Sequence, residues 1–182
     1  GGKSAAQMLS GGLRAALLLH TEPEFDSLGG HPVDGDMVVT LSPFKANMAF
    51  SDVLLPIAPF TETAGSFINA EGRVQSFHGV VKPLGNARPA WKVLRVLGTM
   101  LGLPGFEFET VEEVRAAALP SDIASKLSNL TQSPIRLDVS AAEPSVASIY
   151  QLDGLVRRAP SLQLTTDARL AAQSAEKVQV AA

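Results

Sequence analysis

The sequence predicts an α/β fold in which a partial parallel sheet is followed by a hairpin and then by a mainly helical carboxy-terminal section. Three observations predict it. Short apolar runs alternate with helix-forming stretches as far as Leu55, the order expected of parallel strands covered by helices. Two runs with β-branched and aromatic residues then flank Asn69-Ala70-Glu71-Gly72, which marks a hairpin. From Pro89 onward, apolar residues recur at three- and four-residue spacing between capping residues and glycine or proline stops, which marks helices.

Ser4 and Gln7 have the spacing of a capping box for a short helix carrying Ala5, Met8 and Leu9, which Gly11 and Gly12 can end. Residues 14–20 hold an unbroken Ala-Ala-Leu-Leu-Leu run, the pattern of a strand buried on both faces. After a loop with Thr21, Pro23, Gly29, Gly30 and Pro32, residues 37–41 supply a second strand through Val38, Val39 and Thr40. Ser42 and Pro43 are expected to start a helix of about two turns over residues 45–50, since proline suits the first helical position. Residues 53–55 make the third strand. Three strands form a small sheet, and the chain opens at Gly1 in what reads as the middle of an α/β domain. The expectation is a carboxy-terminal piece of a longer protein whose upstream strands complete the sheet, or else an exposed edge that pairs with a second copy.

The hairpin strands fall at residues 66–68 and 74–77, and Gly72 can take the positive φ that closes the turn. Pro89 opens a helix with Trp91, Leu94, Leu97 and Leu101 on one face, stopped by Gly102 and Pro104. Thr110 and Glu113 form a second capping box for a helix reaching about Leu119. Ser121 or Asp122 caps a further helix through Ile123, Leu127 and Leu130. Beyond Gln132, residues 135–139 and 148–150 read as short strands around an Ala141-Ala142-Glu143-Pro144 turn, and residues 166–178 as a last helix.

Composition excludes several classes. A formal charge of -3 is wrong for a surface that displaces counterions from nucleic acid. Apolar runs fall short of the roughly 18 residues a membrane-spanning helix needs, so direct membrane insertion is not expected. The sequence has no cysteine, hence no disulfide and no thiolate for an iron-sulfur cluster.

Candidate motifs are weak. Gly2-Lys3-Ser4 has the ending of a phosphate-binding loop, but without that loop's first glycine and preceding strand, and Ser4 already serves as a helix cap. His20, His31 and His78 lack metal-ligand spacing, and Asp34-Gly35-Asp36 lacks the further oxygen residues of a calcium loop. No nucleophile elbow occurs, and Glu62 and Glu71 have no partner carboxylate in the pattern. One asymmetry stands out. From Arg73 to Phe106 there is no acidic residue, whereas Arg73, Lys82, Arg88, Lys92 and Arg95 are all cationic, so this stretch is a candidate basic contact surface. Glu62, Gly65, Asn69, Glu71, Gly72, Arg73 and Gln75 read as structural or contact positions around the hairpin, with no catalytic, cofactor or metal role assigned.

The order Asp52, Val53, Leu54, Leu55, Pro56, then Glu62, Gly65, Phe67, Asn69, Glu71, Gly72, Arg73 and Gln75, then Pro83, Arg88, Trp91 and Lys92, resembles the third domain of molybdopterin-dependent oxidoreductases. Within that superfamily, FTETAGSFINAEGRVQSFHGVVKPLG, ARPAWKVLRVLG and the later IYQLDGLVRRAPSLQLTTDA are similar to the G subunit, the large iron-sulfur subunit of bacterial NADH:quinone oxidoreductase, respiratory complex I. The resemblance implies a partial Rossmann-like domain over residues 1–105 and a helical and extended region over 106–182. It also implies a scaffold segment that holds no cofactor, with the iron-sulfur clusters in the amino-terminal part of the parent. Its implied partners are other peripheral-arm subunits, and its place is the cytoplasmic side of the bacterial inner membrane. Such a segment alone would be inactive. Two alternatives are a part of a true molybdopterin enzyme and a nucleotide-binding module built on Gly2-Lys3-Ser4.

Overall fold

The computed structural model describes residues 2–26, 33–119, 121–126 and 148–172. The chain divides into two compact units, one of Gly1–Thr21 with Pro32–Pro134 and one of Glu22–His31 with Ile135–Ala182.

In the first unit, α1 (Ala5–Leu9) begins at the expected capping box: Ser4 N–H donates to Gln7 Oε1 at 2.8 Å, and Gln7 N–H donates to Ser4 Oγ at 3.3 Å. Strands β1 (Ala16–Leu19), β2 (Val38–Ser42) and β3 (Val53–Pro56) form a parallel sheet in the order β1-β2-β3. The register pairs Leu18 with Thr40 and Thr40 with Leu54. The core lies on central β2, where Leu41 is fully buried, and on Ile57 and Ala58 just past β3. Buried Thr40 keeps its hydroxyl satisfied against Ser51 Oγ at 2.7 Å. Asp52 ties the start of β2 to β3, exchanging bonds with Val38 through its carboxylate at 2.7 Å and its own N–H at 2.9 Å.

Two expectations for this sheet need correction. β1 is an edge strand, not one buried on both faces: Leu17 and Leu19 remain 48% and 40% exposed. Residues 45–50 form turns, not a helix. Ser42 Oγ does accept from Phe44 N–H at 3.1 Å, but Asn47 takes φ 63°, a left-handed conformation that ends helical propagation. Its side-chain amide donates to Thr21 O at 2.8 Å, which holds it there.

His20, just after β1, also lies in the left-handed region at φ 54°, and partial burial lowers its pKa below the ordinary 6.5. The folded chain therefore resists a proton that the unfolded chain accepts. Stability from this residue is complete above the unfolded value of 6.5 and declines as pH falls through that value toward the lower folded one. His20→Asn, which tolerates the same backbone, should flatten that part of the profile; urea midpoints of both proteins at about pH 5.5 and 7.5 check it.

Strands β4 (Gly65–Ile68) and β5 (Val74–Phe77) form the expected antiparallel hairpin, with Gly72 at φ 78°. Helix α3 (Ala90–Met100) ends in a Schellman arrangement, in which Gly102 N–H donates to Thr99 O and Leu103 N–H to Gly98 O, both at 3.0 Å. Its apolar stripe stops earlier than the spacing suggests, since Leu101 is 65% exposed. Helix α4 (Val111–Ala118) carries the Thr110 cap, while the Glu113 carboxylate reaches back one residue further, to Glu109 N–H at 2.8 Å. Helix α5 (Ile123–Lys126) follows Asp122; Leu127 and Leu130 lie outside the described residues.

The second unit contains α2 (Pro23–Asp26), α6 (Ile149–Leu152), α7 (Gly154–Arg157) and α8 (Pro160–Gln163), with residues 166–172 also helical. Residues 148–150 are thus not a strand. Ser148 Oγ accepts from Tyr150 N–H at 3.2 Å and caps α6, and this cap overrides the β preference of Ile149 and Tyr150. Asp153 caps α7 in the same way through Leu155 and Val156 N–H. Buried Glu22 accepts from Arg157 Nη2 at 3.1 Å and Arg158 Nη2 at 2.9 Å. The Arg157 guanidinium lies 4.2 Å from the Phe25 ring centroid and also donates to Gln151 O. Residues 135–139, the turn at 141–144 and the end of the expected last helix lie outside the described residues.

Candidate functional site: a basic groove beside α3

A Gly- and Pro-rich strap after the hairpin shapes the site. Val80 N–H donates to Thr61 O at 2.8 Å, and the Glu62 carboxylate accepts from Leu84 N–H at 3.0 Å, so residues 79–84 are stitched to the 3-10 turn at Phe60–Glu62. Gly79 packs closely against this turn: a Cβ there would sit 3.0 Å from Thr63 N and 3.1 Å from Glu62 C, so the backbone would have to give by a few tenths of an ångström to admit one. Further along, Ala58 N–H donates to Arg88 O at 2.9 Å, which fastens the entry of α3 to the end of β3. The result is an open groove of about 700 Å³ between the strap and the first turn of α3.

The groove gathers four of the candidate structural and contact residues read from the sequence. Lys82, Arg88 and Lys92 line it together with Glu62. Arg88 Nη1 donates to Ala87 O at 2.8 Å, and Lys92 Nζ lies 5.4 Å from the centroid of Trp91, another lining residue. Arg95 is not a lining residue; its Nε is buried with no hydrogen-bond partner among the described residues.

The hairpin residues serve the hairpin itself. Asn69 Oδ1 accepts from Glu71 N–H at 3.0 Å and Arg73 N–H at 2.9 Å, organising the turn that Gly72 closes. Glu71 and Arg73 approach to 3.8 Å while about 70% exposed, an ion pair that contributes little. Gly65 faces Phe77, whose ring tip would be 2.7 Å from a Cβ, and Phe77 in turn stacks on Phe67 with centroids 5.2 Å apart. Exposed Gln75 pairs with Phe67 in the ladder. On the other face, Arg115 Nη1 donates to Ser76 Oγ at 2.8 Å and so connects α4 to the hairpin. Gly79, Phe77 and Arg115 were not singled out by sequence reasoning, because their roles depend on neighbours distant along the chain.

Chemically the groove presents cations and an apolar wall; Glu62, its lining carboxylate, is engaged by a backbone amide. Among the described residues no cluster of His, Cys, Asp and Glu could hold a metal ion. His20 and His78 fall in different places in the fold, and His31 lies outside the described residues. Ser4 is occupied as the cap of a five-residue helix. Among the described residues no helix is long and apolar enough to cross a membrane.

The sequence profile of the molybdopterin oxidoreductase family matches residues 2–100. Over 82 residues, 45% of the chain, it is 34% identical to a Staphylococcus aureus protein named as a candidate formate dehydrogenase. Over 53 residues, 29% of the chain, it is 43% identical to the mitochondrial NADH-ubiquinone oxidoreductase 78 kDa subunit of Candida albicans. Over the same length it is 38% identical to a candidate formate dehydrogenase from another Staphylococcus aureus strain. The chain covers only 7%, 7% and 5% of these relatives. Because the profile takes in more than half of its residues, the chain belongs to the molybdopterin oxidoreductase family.

Proposed function

We propose that the chain is a non-catalytic scaffold segment of the large G-type subunit of bacterial NADH:quinone oxidoreductase. The observation that carries this reading is the 43% identity over 53 residues to a complex I 78 kDa subunit, against 38% over the same length to a formate dehydrogenase relative. The absence of cysteine from the sequence agrees with it, since thiolate-bound clusters of the parent would then be carried elsewhere. On this reading the segment braces the cluster-bearing region, contacts other peripheral-arm subunits through its basic surface, and sits on the cytoplasmic side of the inner membrane. Self-association through the β1 edge would occur where that edge is left open.

A molybdopterin-dependent enzyme is the second reading, favoured by the longer 82-residue match. Metal analysis and pterin extraction of the full-length parent separate the two. Iron without pterin or molybdenum is expected, and the 182-residue chain alone should not oxidise NADH. Stoichiometric pterin in the parent would replace the scaffold reading with the enzymatic one.

A further inference from the structure

We infer that the groove beside α3 is a docking cleft for an extended acidic peptide segment of a partner protein, one carrying an apolar anchor residue among its carboxylates. Charge is the first argument. Three cations, Lys82, Arg88 and Lys92, line the groove against one carboxylate, Glu62, which is already hydrogen-bonded to Leu84 N–H. The whole chain carries a formal charge of -3, so the groove opposes the sign of the molecule that bears it.

The second argument is apolar exposure. Val80 is 84% exposed and Val81 58%, and both line the groove. Beside them, Leu84 is 82% exposed. These side chains are not on a slack loop, because the backbone N–H groups of Val80 and Leu84 are both fixed to the 3-10 turn. A held strap that presents apolar side chains between cations is matched by a ligand that is anionic and apolar at once. A free phosphate would satisfy the cations and leave the valines bare. An extended acidic segment with a leucine or phenylalanine uses both, and the open form of the groove admits a chain entering and leaving.

The inference needs only the groove, so pterin in the parent protein would leave it standing. Trp91 makes it testable, because it is the single tryptophan of the sequence and lines the groove. The intact chain is titrated with a synthetic Glu-Asp-Glu-Leu-Glu-Asp peptide, with its Gln/Asn counterpart, and with inorganic pyrophosphate, following Trp91 emission and heat. The acidic peptide should give a saturable change. Affinity should fall about tenfold or more in Lys82→Glu/Lys92→Glu and when salt is raised from about 50 to 200 mM. Val80→Ser/Val81→Ser should weaken it about threefold or more with the same salt dependence, while Lys45→Glu, which is not among the lining residues, should weaken it far less than either single change Lys82→Glu or Lys92→Glu, each of which alters the charge by the same amount. All these positions are exposed, so the fold is not at risk. No saturable change, equal binding of the neutral peptide, or pyrophosphate binding as tightly as the peptide with no effect of the valine changes would each overturn the inference.

Discussion

Glu22→Ala is expected to lower the stability of the second unit by about 3–5 kcal/mol, the usual cost of stranding a buried charge. Both partners in the contact are nearly closed to water, with side-chain exposures of 8% for Glu22 and 7% for Arg157. Removing the carboxylate leaves the Arg157 guanidinium with the Phe25 ring and Gln151 O, and with an Nε that has no hydrogen-bond partner among the described residues. Glu22→Gln should do nearly as much harm, since a neutral amide keeps the shape without the charge. Replacing both ends with apolar residues, as Glu22→Leu/Arg157→Met, should cost much less than the single change, because no buried charge is then left at either position. Hydrogen exchange of α6, α7 and α8 reads the result. Exchange in Glu22→Ala no faster than in the parent would show that the ion cluster does not hold this unit.

Gly98→Ala is the second large effect, and its sign is counterintuitive. In an exposed helix interior, alanine gains about 1 kcal/mol over glycine. Here Gly98 is the buried residue of α3, and a Cβ would fall 2.3 Å from Cγ and Cδ1 of Phe106. These atoms lie at the root of the ring, so the whole side chain has to leave its place. The cost of such overpacking is about 1–3 kcal/mol, which outweighs the propensity gain and releases the segment after the helix. A double-mutant cycle isolates the cause. In a Phe106→Ala background the same Gly98→Ala change should become stabilising, by up to about 1 kcal/mol, because the obstacle is gone. Denaturant midpoints of the four proteins decide it; destabilisation in both backgrounds would mean that Phe106 is not the reason glycine stands there.

What was legible in the sequence was what neighbouring residues decide. The hairpin could be placed because Asn69 and Gly72 act within one turn, and both do what their chemistry suggests. The ends of α1, α3 and α4 were readable for the same reason, since caps and glycine stops operate over three or four residues. Where a distant group intervened, local reading failed. Residues 45–50 had helical signals, but Asn47 turns left-handed and bonds to Thr21 O, 26 residues away. Residues 148–150 had strand composition, but the Ser148 hydroxyl capped a helix instead.

The candidate site divides along the same line. The run of cations was visible in the sequence, yet only folding shows that Lys82, Arg88 and Lys92 share a groove while Arg95 does not line it. Glu62 appeared as one of several hairpin residues, whereas its carboxylate in fact pins the strap that forms the groove wall. Gly79 and Gly98 carried no local signal at all. What crowds them is backbone atoms at Gly79 and aromatic atoms at Gly98 that pack against them in three dimensions, not an unusual φ.

The ion cluster of the second unit also has a consequence for the order of events during synthesis. Glu22 and Arg158 are 136 positions apart, so the acid leaves the ribosome well before the base that will neutralise it. At about 5–20 residues per second, roughly 7–27 seconds elapse between them. The β1–β2 connection that contains Glu22 must therefore wait, hydrated, while the parallel sheet on either side of it is already translated. Nascent chains stalled before Arg157 would carry an unfinished helical unit, and its assembly would begin only once the tail emerges.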